Sequence, residues 1–125
     1  MSQIYHISNP DEWAAAQDTG HYTAPSLEEE GFIHCSTLVQ IVPVANAFYQ
    51  DMQDTMLLCI EVENLESEVR WEAPAPPAKH KDGDDTLPGD LFPHIYGTVN
   101  LEAVVRTVEL PRNEAGGYEL PSDLL

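Results

Sequence analysis

Three of the five histidines sit in short apolar, strand-like runs: "IYHIS" at 4–8, "GFIHCST" at 31–37 and "FPHIYG" at 92–97. Imidazole exchanges protons near neutrality, ligates metals, and offers both a donor and an acceptor while uncharged. In an extended chain alternate residues share a face. His34 and Ser36 then point away from Ile33 and Cys35, which suit a core. The same alternation groups His6 with Ile4 and Ser8, and His94 with Tyr96. The spacing predicts that His6, His34 and His94 stand on neighbouring strands and face one solvent-reachable cleft, with Ser8, Ser36 and Tyr96 as its polar lining. Three separate core histidines, each with one structural hydrogen bond, are the plainer alternative.

Two more groups could join such chemistry. In "VRWE" at 69–72, Arg70 and Glu72 share a strand face and Trp71 takes the other. A scarce arginine fixed within a strand suits an anion or a paired carboxylate, although a surface ion pair fits the same pattern. Glu72 is by position the acidic residue best suited to catalysis. A three-histidine metal site on His6, His34 and His94 matches zinc in ligand type. The spacing lacks HxH or HExxH, so metal-assisted hydrolysis stands as an alternative and no metal ligands are assigned. "DGDD" at 82–85 lacks the spacing of a calcium loop. Neither Cys35 nor Cys59 has the surroundings of a nucleophile, and both are expected to be reduced, inward-facing thiols.

The elements that must position these residues are punctuated by caps and turns. Residues 3–8 read as a strand. A helix follows, with Asn9 as cap, Pro10 in its first turn, Glu12 completing a capping box and Gly20 as its stop. Residues 26–31 read as one capped turn, and "FIHCS" at 32–36 as the next strand. A second main helix is expected over about 39–50, with Pro43 in its first turn. Strands follow at 55–63, 68–73, 92–97 and 103–110. Between them, residues 74–90 are rich in proline and poor in core formers, which predicts a long loop acting as a lid. Residues 111–125 read as a peripheral tail. The whole is a single α+β domain over 1–125, with its core at about 3–110 and a split mixed or antiparallel sheet.

Composition narrows the partners. The 125 residues carry 22 acidic and 5 basic side chains, a formal net charge of −17, with 42% hydrophobic residues. That field repels nucleic acid and anionic membrane, leaving a small-molecule ligand as the expected partner. The oligomeric state is not encoded in any motif. No basic, apolar leader is present at the start of the sequence, so a cytoplasmic location is expected.

With these segments in order, the chain resembles a small bacterial family known as domain of unknown function 952. The likeness covers about residues 3–110 and rests on "IYHIS" with Trp13, "GHY", "SLEEEGFIHCST", "ANAFY", "LLCIEVENL", "VRWE" and "FPHIYG". It carries no established activity. The fold of that family resembles the ADP-ribosyltransferases, including the RNA 2′-phosphotransferases. "YHIS" resembles their YHGT-type strand and "FIHCS" their HIH-type strand. The resemblance implies that His6 holds a ribose hydroxyl of NAD or ADP-ribose, while His34 and Ser36 line the same cleft. The sequence departs at Ile7, where that motif has glycine, and lacks the arginines of the phosphotransferases. A catalytic role would fall to His6, His34 and Glu72. Ligand contacts would fall to His6, Ser8, Tyr22, Ser36, Arg70, His94 and Tyr96, with Tyr96 or Tyr22 stacking on a ring. The expected function is binding of a nucleotide-type molecule, with NAD-dependent glycosyl transfer as its enzymatic form. A non-catalytic domain binding a protein or metabolite is the further alternative.

Overall fold

The computed structural model describes residues 3–52, 54–72 and 91–121. In chain order these form β1 (Gln3–Ser8), α1 (Pro10–Thr19), β2 (His21–Tyr22), α2 (Pro25–Glu30) and β3 (Ile33–His34). Then come α3 (Ile41–Phe48), β4 (Met56–Glu61), β5 (Glu68–Glu72), β6 (Phe92–Tyr96), β7 (Val99–Asn100) and β8 (Val104–Glu109). The strands pair as β1-β4-β8, β3-β6-β5 and β2-β7. Every pairing is antiparallel among the described residues. An isolated bridge between Tyr5 and Ser36 joins the two three-stranded sheets. Two backbone hydrogen bonds of 2.8 Å make that bridge.

Local chemistry explains the helices. Asn9 Oδ1 accepts the Glu12 amide at 2.9 Å, and Gly20 closes α1 in the left-handed region at φ 92°. A side chain there would be strained, so glycine is the natural stop. The other half of the expected capping box is not made, because the Glu12 carboxylate turns to Tyr22 and Ser8 instead. α2 begins one residue before the expected cap: Pro25 takes the first turn, and the Ser26 hydroxyl donates to the Phe32 carbonyl at 2.8 Å. Pro43 lies early in α3, where its missing amide costs no helical hydrogen bond.

Both faces of β1 and β4 are covered. Ile4, Leu58 and Ile60 face one core with Ile33, Cys35, Ile95, Tyr22 and Ala16 of α1. Tyr5, Ile7, Leu57 and Cys59 face a second, closed by Ile41 and Ala45 of α3. Cys35 and Cys59 are free, buried thiols. The expected peripheral tail is corrected over 111–121. Tyr118 is 2% exposed, its amide donates to Asn46 Oδ1 at 2.8 Å, and Arg112 donates to the Gln50 and Met52 carbonyls at 2.8 Å each. The proline-rich segment 74–90, where a lid is expected, lies outside the described residues. Among the described residues no helix is long and apolar enough to cross a membrane.

Candidate functional site

β6 is the middle strand of its sheet, and its register decides which side chains meet. His94 stands opposite His34 on one side and Arg70 on the other, while Ile95 pairs with Ile33 and enters the core. Alternation then gathers Phe32, His34, His94, Tyr96, Arg70 and Glu72 on the opposite face. The His34 and His94 rings meet edge-on with centroids 5.4 Å apart. Phe32 stacks on His94 at 4.2 Å. His94 is almost fully buried, whereas His34 and Glu72 are partly open to solvent.

Carboxylates orient both imidazoles. His94 Nδ1 donates to Glu72 Oε1 at 2.8 Å, and the Tyr96 hydroxyl donates to the same oxygen at 2.7 Å. His34 Nε2 donates to Glu30 Oε1 at 3.1 Å. Carboxylates only accept here, so the lone pairs of the neutral rings fall on His94 Nε2 and His34 Nδ1. The hydrogen bonds from Tyr96 and His94 hold Glu72 below the usual carboxylate range. Burial outweighs the Glu72 contact and pushes the His94 imidazole down, while the bond to Glu72 pushes the Tyr96 phenol up. Arg70 lies over the Tyr96 ring, 4.4 Å from its centroid. Its Nε is 3.1 Å from Glu68 Oε2, an exposed pair that solvent screens. At neutral pH this face therefore carries an uncharged His94 imidazole and Tyr96 phenol around an anionic Glu72, with the Arg70 cation beside it.

His6, Ser8 and Tyr22 are elsewhere, which corrects the expectation of one three-histidine cleft. The bridge opposes Tyr5 to Ser36, so Tyr5 takes the His34 side of the joined sheets and His6 takes the side of Cys35 and Ile33. His6 meets the His34 segment only at its main chain, where Nδ1 donates to the carbonyl at 2.6 Å. Its Nε2 lies 2.9 Å from the Tyr22 hydroxyl, and the rings meet edge-on. Burial pushes His6 below the ordinary imidazole value and pushes the Tyr22 phenol far up. With an exposure of 0%, Tyr22 has no face free for stacking on a ligand ring. Ser36 shares the His34 side but is buried at its pairing with Tyr5.

Glu30 and Phe32 belong to the site and carry no sequence motif. A signal existed for Phe32, since period 2 from His34 places it on the same face. Glu30 reaches His34 only because the left-handed Gly31 turns the chain between them. No group of three His, Cys, Asp or Glu side chains among the described residues is placed to hold a metal ion. The three-histidine metal reading fails for the same reason as the shared cleft: both His6 nitrogens are engaged on the other side.

Fold and site together define a small α+β domain of antiparallel sheets with a carboxylate–imidazole face. The family model described as "Protein of unknown function (DUF952)" matches residues 7–107, and the chain belongs to that family. It is similar to the crystal structure of protein CC0527 from Caulobacter crescentus, with 27% identity, TM-score 0.74 and 94% of each chain covered. The solution structure of CC0527 gives 28% identity and TM-score 0.73, over 100% of this chain and 97% of that one. No curated protein matches the sequence.

Proposed function

We propose that the face carrying His34, His94, Glu72, Tyr96 and Arg70 binds a nucleotide-type small molecule, NAD before ADP-ribose, and supports glycosyl transfer from it. The observation that carries this reading is the Glu72 carboxylate, fixed by two donors on one oxygen and kept ionised beside aromatic rings. A fixed anion among π faces favours a planar, cationic group. NAD has one in its pyridinium, and ADP-ribose does not. Transfer would break the bond between C1′ of the ribose and the pyridinium nitrogen. The electron pair would leave with neutral nicotinamide, Glu72 would stabilise the oxocarbenium-like carbon, and an acceptor such as water would attack it. A lone-pair nitrogen on His34 suits the proton of that acceptor. Arg70 suits the anionic part of the ligand within a strongly acidic protein.

Calorimetric titration with NAD and ADP-ribose tests the binding, and nicotinamide release tests the transfer. Glu72→Gln keeps the size of the side chain and removes its charge. A charged contact of ordinary strength predicts NAD binding weaker by about 10- to 100-fold, with a smaller change for ADP-ribose. Equal weakening of both, or none, would remove Glu72 from the reading.

A further inference from the structure

With His6 on the other side, two imidazoles remain on one face, and both are prepared in the same way. His34 and His94 stand directly opposite each other on antiparallel β3 and β6, where facing side chains come close together. A carboxylate holds each ring at one nitrogen: Glu72 Oε1 takes His94 Nδ1 at 2.8 Å, and Glu30 Oε1 takes His34 Nε2 at 3.1 Å. A neutral imidazole that gives its N–H to a carboxylate keeps a lone pair on the other nitrogen. Metal-binding histidines are oriented in this manner, because the outer carboxylate fixes the tautomer and makes the free nitrogen more basic.

Direction and spacing agree with that chemistry. β6 lies between β3 and β5. His94 reaches Glu72 of β5 with Nδ1, so the ring edge that carries Nε2 is turned toward β3 and His34. His34 gives Nε2 to Glu30, so its Nδ1 points away from that carboxylate. The two ring centroids are 5.4 Å apart, with the planes inclined at 75°. Two imidazoles on one tetrahedral zinc, with Zn–N of about 2.0–2.1 Å, have centroids about 5.2 Å apart. Phe32 stacks on His94 at 4.2 Å and meets His34 edge-on at 4.9 Å, which steadies both rings without using a nitrogen. An ion would approach past His34, whose side chain is 38% exposed, while His94, at 2%, closes the inner side.

We propose that His34 and His94 form a two-imidazole site for a zinc-type divalent ion, with Glu30 and Glu72 orienting the ligands. Imidazole nitrogen suits Zn²⁺, Ni²⁺ and Cu²⁺, whereas Mg²⁺ and Ca²⁺ take oxygen. The described residues bring no third His, Cys, Asp or Glu to the ion. Two tetrahedral positions therefore stay open to water or to a donor atom of an incoming molecule, unlike a closed structural zinc site. The ion site does not rest on the nucleotide reading, since the chain alone supplies its ligands. It uses the same His34 lone pair as the proposed transfer, so the ion and the acceptor proton compete for one nitrogen.

Calorimetric titration of the metal-stripped protein with Zn²⁺ tests the site. The chain carries 22 acidic side chains, so excess Mg²⁺ is kept present to fill carboxylate oxygen sites. The expected result is saturable Zn²⁺ binding that His34→Gln abolishes. Glu30→Ala, which removes an orienting carboxylate and leaves both ligands, should weaken it by about 10- to 100-fold. His94 is enclosed, so its part is read in the ¹⁵N-labelled wild type rather than in a variant. Zn²⁺ should shift the ring-nitrogen signals of His34 and His94 together. A response from only one of these rings, or from neither, would overturn the pair. So would Zn²⁺ affinity that is unchanged in a folded His34→Gln or Glu30→Ala protein.

Discussion

Glu72 takes two hydrogen bonds on one oxygen, and the histidine that gives one of them is nearly enclosed. Burial holds His94 below its ordinary value, which fixes the sign of its effect on stability. The unfolded chain takes up the proton first, near pH 6.5. The contribution of the neutral ring is therefore complete above that pH and is lost as pH falls through the lower value of the folded state. His94→Asn retains a donor for Glu72 and removes the titration. Between pH 7.5 and 5.5 the wild type should lose more unfolding free energy than this variant, by at most about 1.4 kcal/mol per pH unit. Equal losses in denaturant titrations would contradict this. That His94 shares a face with Tyr96, and Arg70 with Glu72, was legible because period 2 fixes the face of each side chain within a strand. Tyr22 was not, since an aromatic ring in a two-residue strand reads the same whether it stacks on a ligand or is enclosed.

α1 shows where punctuation is enough. Asn9, Pro10 and Gly20 fix its ends through chemistry carried by single residues. Asn9→Ala removes the acceptor of the Glu12 amide and should cost about 1 kcal/mol in urea unfolding. A change within about 0.3 kcal/mol would show that another group takes over the cap. β3 shows the opposite case. A five-residue strand is expected at 32–36, but the regular ladder covers only Ile33 and His34. The Cys35 amide still reaches Pro93, and Ser36 then pairs with Tyr5 in the other sheet. Alternation gives the face of each residue and says nothing about where the chain changes partner. That change sends His6 to the far side. After β6, Gly97 has φ 150°, and a Cβ there would meet the side chain of Ser67. The Ser67 hydroxyl donates to the Thr98 carbonyl at 2.6 Å, so it cannot simply swing aside. Gly97→Ala should lower the melting temperature, and an unchanged value would show that the turn relaxes freely.

Two cores lie one on each side of β1 and β4, and the carboxylate–imidazole face is the side of the β3-β6-β5 sheet opposite Ile33 and Ile95. The segment after β8 completes the second core, though no periodicity announces it, because one buried tyrosine in a run of turns has no period. The Tyr118 hydroxyl lies 2.8 Å from the Thr55 hydroxyl, donates to the Tyr49 carbonyl at 2.7 Å and accepts from Arg112 at 2.8 Å. Tyr118→Phe leaves those groups short of a partner and should cost about 1–3 kcal/mol; retained stability would return residues 111–121 to a peripheral role. The central claim concerns the carboxylate–imidazole face. Titrating NAD into ¹⁵N-labelled protein, with backbone and histidine side-chain signals followed by NMR, tests it most directly. The account predicts saturable shifts centred on His34, His94, Tyr96 and Arg70, little change at His6 and Tyr22, and loss of the response in Glu72→Gln. Shifts centred on His6 and Tyr22, or no saturable response at millimolar NAD, would contradict it.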